Sequence, residues 1–310
     1  MALKLGKNEK AAIRRSGYLL EQRLVPVVQK LGYYTIPNYS FEDPETQEAR
    51  EIDIWAMGAE AVSAKAQREF IFPVLIIECK NLTCPLVFFT QSEVRSRHLM
   101  GDPHISGLPK EVLENGARHD LSDYLNLEKF HHYYQRGRIS SQFCAVYKNK
   151  KGDLVAGHEI EGAGNLFLGA VLPLIKAVRV EMEEHENSWK YVPGKEIINL
   201  QFYYPILLTK GELYECFLGG KKPAYKRVHR INYIRRHKSA KVQGEFRIDV
   251  VTERGFRRLL KTVETEISEI ARRIKRKKAI LRDSANKIAR EKLKEGRKKT
   301  KKGARKQNRH

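Results

Sequence analysis

Phe72-Pro73-Val74-Leu75-Ile76-Ile77-Glu78-Cys79-Lys80 is the most apolar run of the chain, and it ends in two charges. Its length and its Ile/Val content predict a buried β-strand. Charged side chains are rarely buried without partners, so Glu78 and Lys80 at the end of such a strand call for an explanation. Side chains alternate across a strand. Glu78 and Lys80 therefore point the same way, with Cα atoms ~6.6 Å apart at ~3.3 Å per residue. Cys79 is expected on the opposite face, toward a core.

Arg50-Glu51-Ile52-Asp53-Ile54-Trp55-Ala56 alternates in the same manner. The pattern places Ile52, Ile54 and Ala56 on one face and Glu51, Asp53 and Trp55 on the other. If this strand lies beside residues 72–80, Asp53 and Glu78 are about one strand spacing apart, roughly 4.8 Å. Two carboxylates so placed suit one hard divalent cation. Mg²⁺ takes oxygen ligands, uses one or two protein carboxylates and fills its other positions with water and substrate phosphate. A third acid precedes them. Residues 11–31 carry a helical stripe of Leu20, Leu24, Val27, Val28 and Leu31, ended by Gly32, and Glu21 borders that stripe.

Helix-Glu, strand-Asp and strand-Glu-x-Lys, in that order, resemble the PD-(D/E)xK nuclease superfamily, the restriction-endonuclease-like fold. The matching positions are Glu21, Asp53 in Glu-Ile-Asp-Ile-Trp-Ala, and Glu78 and Lys80 in Ile-Ile-Glu-Cys-Lys-Asn. The match covers residues 21–80, and Ile52 stands where the family name has proline. The resemblance implies that Asp53 and Glu78 bind Mg²⁺, with Mn²⁺ able to substitute, and that the backbone carbonyl of Cys79 is a further ligand. It implies that Lys80 positions or activates the attacking water and that Glu21 supports the site from the first helix. It also implies an α/β fold, a central mixed β-sheet flanked by helices.

Composition points to a nucleic-acid partner, and the nuclease resemblance implies DNA first. The chain has 59 Lys+Arg against 37 Asp+Glu, a net charge of +22. Residues 272–310 hold 19 Lys+Arg and 3 Asp+Glu, which is +16 and leaves +6 for residues 1–271. Runs such as Arg272-Arg273-Ile274-Lys275-Arg276-Lys277-Lys278 neutralise phosphates and release counterions. Such contacts carry no sequence information. From Gly296 onward the tail has no apolar residue larger than alanine to anchor it on a membrane surface.

Two parts follow: an elaborated catalytic domain over 1–271 and a basic nucleic-acid-binding tail over 272–310. Phe256, Leu259, Leu260, Val263, Ile267, Ile270 and Ile274 predict a helix over 255–281. Disorder is expected from Gly296 onward. Strands are expected over 33–41, 141–147 and 246–251, a polar loop over 59–70, a helical run over 165–180, and a hairpin over 197–218 turning near Thr209-Lys210-Gly211-Glu212. Residues 85–140 give no clear pattern.

Other motifs carry less. His98, His104, His119, His131 and His132 show no ligand spacing, and surface or nucleic-acid contact is the expectation. Cys79, Cys84, Cys144 and Cys216 contain no Cys-x-x-Cys pair, so a zinc ribbon or redox motif is unsupported. Scattered cysteines without a secretory leader suggest a cytoplasmic protein, nucleoid-associated in a prokaryote. Gly162-Ala163-Gly164-Asn165 reads as a helix-start turn.

The expected activity is Mg²⁺-dependent hydrolysis of DNA phosphodiesters by an endonuclease of the restriction or host-defence kind, with a homodimer the easiest way to cut both strands. A junction-resolvase-like, single-strand or exonuclease activity is a second reading. Against the exonuclease branch, the Gln-x-x-x-Tyr it usually carries is missing, since Gln91 is followed four positions on by Arg95. A non-catalytic DNA- or RNA-binding protein on a nuclease scaffold is a third.

Overall fold

The apolar run does form a buried strand, and the molecule is organised around it. The computed structural model describes residues 5–62, 69–92, 103–134, 138–157, 159–160, 164–188, 198–220 and 222–307. His98, residues 63–68 of the expected polar loop, and Gly162-Ala163 lie outside them.

The helices are α1 (Lys7–Arg15), α2 (Tyr18–Gln29), a single turn α3 (Leu121–Tyr124), α4 (Leu172–Ser188) and α5 (Glu253–Gln307). In the first half of the chain the strands are β1 (Tyr34–Glu42), β2 (Ala49–Met57), β3 (Glu60–Ala61), β4 (Phe70–Lys80), β5 (Leu86–Ser92), β6 (His104–Ser106), β7 (Glu111–Glu114), β8 (Ala117–Asp120) and β9 (Arg138–Lys148). The second half adds β10 (Leu154–Gly157), β11 (Glu159–Ile160), β12 (Gly164–Asn165), β13 (Asn199–Thr209), β14 (Leu213–Phe217), β15 (Ala224–Val228), β16 (Arg230–Lys238) and β17 (Gln243–Thr252).

Among the described residues thirteen of these build one mixed sheet, whose main path runs β1-β2-β4-β13-β17-β16-β9-β5-β14-β15, while β7-β8 and β11-β12 form two separate pairs. At its centre β4 and β13 are parallel over their full length, from Phe70 opposite Asn199 to Lys80 opposite Thr209, and β17 continues the parallel set. Parallel strands covered on both faces read as continuous apolar runs. Val74, Leu75, Ile76 and Ile77 are all fully buried.

Two helical layers do the covering. Leu20, Leu24 and Val28 of α2 and Phe256, Leu259, Leu260 and Val263 of α5 pack on Leu75, Ile77, Phe202 and Ile206. Leu174, Ile175 and Val178 of α4 pack on the opposite face, against Val74, Ile76, Tyr203 and Leu207. The chain is thus α/β, a large mixed sheet between helices, with a long C-terminal helix.

Several expectations need correcting. The helix over 11–31 is two helices, because Gly17 takes φ 94° and breaks the run between α1 and α2. Glycine enters that region without the steric penalty other residues meet. Leu31, past the end of α2, is exposed. The 197–218 hairpin is absent: β13 and β14 are consecutive but pair elsewhere, β13 with β4 and β17 and β14 with β5 and β15. Both are sheet strands, and apolar periodicity carries no information about partners. Residues 85–140, patternless in sequence, contain β5 to β8, α3 and the start of β9, most of them short.

The last helix departs in length. It continues past the span expected over 255–281, as the Asp283–Lys287 and Glu291–Lys294 spacings allow, and on to Gln307, through the residues from Gly296 where disorder is expected. Lys, Arg, Ala and Gln are good helix formers, and their density along the tail outweighs two glycines. Ile274, Leu281, Ala285 and Ile288 are buried, so packing continues past position 272.

Candidate active site

The end of β4 presents Glu78 and Lys80 as a contacting pair: Lys80 Nζ donates to Glu78 Oε1 at 2.5 Å. Glu78 is 5 % exposed, whereas Lys80 is half-buried. Cys79 turns its thiol into the core beneath α2, as strand parity requires.

The neighbouring strand supplies Asp53. β2 pairs antiparallel with β4, Ile54 opposite Ile77, and extending that register by one step sets Asp53 across from Glu78. The side chain does not merely lie alongside. Asp53 Oδ2 accepts the backbone N–H of Cys79 at 2.6 Å, and that bond fastens the two strands where their own ladder stops. The strand is irregular here. On the other side of β2, Pro37–Ile54 and Tyr39–Ile52 are paired, but Asn38 between them has φ 50°. As a result Ile52 packs with Trp55 in one layer while Ile54 and Ala56 pack in the other, contrary to the simple alternation.

Glu21 arrives from α2, close enough to interact electrostatically with Asp53, Glu78 and Lys80. Its position depends on a contact the sequence reading missed. Asn81, the residue after the Glu-x-Lys strand, donates from Nδ2 to the backbone carbonyl of Arg14 at 3.1 Å. A Cβ on Gly17 would lie 3.7 Å from Asn81 Cβ and 3.8 Å from Glu21 Oε1, so the turn between α1 and α2 rests on both. The available signal was the Ser-Gly step inside the supposed single helix. Arg14 contributes its carbonyl here, and among the described residues it forms no ion pair with Glu21.

All four predicted side chains therefore meet at one end of the sheet, with Cys79 joining through its backbone. Their electrostatics are strained in a consistent direction. Burial, then the Asp53 charge, pushes the Glu78 carboxyl up to about 7, against the pull of Lys80. Burial also raises Asp53 despite its bond to Cys79, and burial and Asp53 raise Glu21. Three crowded acids share one ammonium. Moreover, Glu78 Oε2 is buried without any hydrogen-bond partner. An orphaned carboxylate oxygen among oxygen donors is what a hard divalent cation would satisfy.

The histidines fall elsewhere. His119 is exposed, but His104, His131 and His132 are buried, which overturns the expectation of surface contacts. His131 and His132 do not diverge; their rings stack with centroids 5.0 Å apart. His104 Nε2 accepts the backbone N–H of Arg247 at 3.3 Å, and His131 Nδ1 accepts that of Tyr133 at 3.3 Å. His132 is clamped between Asp249 (Nε2 to Oδ2, 2.9 Å) and Glu266 (Nδ1 to Oε1, 2.8 Å). Ligand atoms of His131, His132 and Glu266 lie within 4.8 Å of one another, a spacing that could hold a metal ion. Burial opposes a charged His132, yet the two carboxylates prevail and raise its pKa to about 9. With His132 protonated and Arg247 buried alongside, two cations balance Asp249 and Glu266. The Asn165 reading holds: its Oδ1 accepts the N–H groups of Phe167 and Leu168 at the start of the helical run.

No family model, curated protein or solved structure matches this chain. Among the described residues no helix is long and apolar enough to cross a membrane.

Proposed function

We propose that the chain is a metal-dependent nuclease that hydrolyses DNA phosphodiester bonds, an endonuclease built on a restriction-endonuclease-like fold. The observation that carries the reading is the unpartnered, buried Glu78 Oε2 beside Asp53, on paired strands, with Lys80 two residues away.

Glu78 and Asp53 would hold the cation, Mg²⁺ or Mn²⁺, with the Cys79 carbonyl as a further donor. When bound, the ion would polarise the scissile phosphate and lower the pKa of a water ligand. The protein's own groups have separate roles. Lys80 is positioned by its bond to Glu78 and can donate to a non-bridging phosphate oxygen as negative charge grows there. Glu21, its carboxyl raised by burial and by Asp53, can hold the attacking water through a hydrogen bond. Cys79 N–H holds Asp53 in a fixed rotamer, so the carboxylate needs no reorganisation. Water attacks phosphorus, the bond to one ester oxygen breaks, and that oxygen leaves as an alcohol.

The test is incubation of the protein and its Asp53→Ala variant with plasmid, linear duplex, single-stranded DNA and RNA, in Mg²⁺, Mn²⁺ or EDTA. Linearisation of closed-circular plasmid by the parent alone, with metal, supports the endonuclease. Preference for branched or single-stranded substrate would move the assignment to a resolvase-like enzyme. Binding without cleavage in any metal would leave a DNA- or RNA-binding scaffold.

A further inference from the structure

On α5, Glu269, Arg272, Arg273, Arg276 and Lys277 follow one another at helical spacing and share a face. That face meets the loop after α3, where Asn126 and Lys129 complete a cavity of about 260 Å³. Five cations and one carboxylate line it, a local charge of +4.

Part of this charge is fixed in place. Arg273 donates through Nε to Glu269 Oε1 (2.6 Å) and through Nη1 to the carbonyl of Leu125 (2.8 Å), with its guanidinium 4.4 Å from the Phe130 ring centroid. Lys277 Nζ donates to the carbonyl of Tyr124 at 2.5 Å and lies 3.8 Å from that ring's centroid. Glu269 is fully engaged, since its other oxygen accepts Nε of Arg272 at 2.8 Å. Arg276 and Lys129 remain. Neither has a hydrogen-bond or ion-pair partner among the described residues.

Like charges around a small enclosure repel, and an anion relieves that repulsion. Guanidinium groups in a fixed fork match the oxygens of a phosphate. The volume is below the roughly 300–1,000 Å³ of pockets for drug-sized ligands, so one small group is accommodated. From these observations we infer that the cavity between α5 and the α3 loop seats a single backbone phosphate of the nucleic acid, with Arg276 and Lys129 as its direct donors. This inference rests on the nucleic-acid reading above. It adds a positioning site on α5, on residues distinct from the acids of β2 and β4.

The test uses the full chain in EDTA, so that no cleavage occurs. Binding of a fluorescein-labelled twenty-base-pair duplex is measured against salt for the parent, for Lys129→Gln/Arg276→Gln, and for Arg257→Gln/Lys261→Gln. The last pair removes equal charge from exposed positions of α5 outside the cavity. The cavity variant should bind about tenfold more weakly and lose about 0.9 from the log–log salt slope, one phosphate contact on duplex DNA. The control should change less than threefold. Equal losses in both variants, or none in the first, overturn the proposal. A second arm compares melting in inorganic phosphate with chloride at equal ionic strength. Phosphate stabilisation lost in the cavity variant, with duplex binding unchanged, would make this a free-anion site and overturn the nucleic-acid assignment. Cleavage by the parent in Mg²⁺ is scored separately, so failure of the active site leaves these readings intact.

Discussion

Asp53 Oδ2 and the backbone N–H of Cys79 are joined by a 2.6 Å hydrogen bond between two strands, at the position where their main-chain ladder ends. Substituting Asp53 should therefore have a structural cost separate from any catalytic one. Asp53→Asn keeps an acceptor oxygen for Cys79 and should melt within a few degrees of the parent. Asp53→Ala leaves a buried N–H unpaired and should lose about 1–3 kcal/mol. Both should lose plasmid cleavage by roughly 10²-fold or more, since neither supplies a charged oxygen. Thermal melts and cleavage rates on the same preparations separate the two effects.

Glu78 leads to a pH and metal prediction. Its carboxyl is raised from 4.5 to about 7 in the folded protein, so the ionised form is disfavoured by folding. The resulting penalty is absent below about pH 4.5 and grows as pH rises toward 7, where it should reach on the order of 2–3 kcal/mol. In EDTA at pH 8, Glu78→Gln should melt higher than the parent, and the two should converge near pH 5. Mg²⁺ should raise the melting temperature of the parent at pH 8, and leave Glu78→Gln unchanged. A parent that gains nothing from Mg²⁺ would count against the metal assignment.

His132 should impose a dependence in the same direction over a higher range. Its folded pKa of about 9 lies above the usual 6.5, so its stabilisation is complete below pH 6.5 and is lost as pH rises through 9. Replacement by Gln removes a cation between Asp249 and Glu266 and should cost about 3–5 kcal/mol. Urea titrations at pH 6 and pH 9 should show that difference shrinking at the higher pH.

Lys176 offers a test away from the site. Its ammonium donates to both oxygens of Asp43, at 2.9 and 2.8 Å, and Asp43 is 1 % exposed. Burial alone would disfavour the charged carboxylate, but Lys176 and the N–H groups of Glu45 and Thr46 hold it below its ordinary value. This stabilisation is present at neutral pH and fades as pH falls below the usual carboxylate range. Lys176→Met leaves Asp43 held by Arg50 and two backbone N–H groups and should lose about 1–3 kcal/mol, the loss of hydrogen bonds to a charged group. Denaturant midpoints at pH 7 read out the loss.

How much of this could be seen in the sequence follows from the range of each interaction. Glu78 and Lys80 were legible because two residues on one strand share a face by geometry alone. Asp53 was legible only through the guess that its strand lay alongside, and the Asn38 irregularity that re-faces Ile52 left no local trace. Glu21 was assigned to the right helix without the Gly17 break that seats it. The burial of His132 leaves no local trace, because its partners Asp249 and Glu266 lie more than a hundred residues away. The expected hairpin over 197–218 fails for the same reason, as turn chemistry says nothing about parallel partners.

The pairing of β4 with β13 has a temporal consequence. Lys80 lies opposite Thr209, 129 residues further along the chain. Long-range parallel pairing forms slowly, since loop closure must precede any gain in contacts. On a ribosome, the strand bearing Glu78 would therefore stay without its inner neighbour until two-thirds of the polypeptide had been synthesised. A nascent fragment would carry the acidic residues in order, yet lack the enclosure that sets their ionisation.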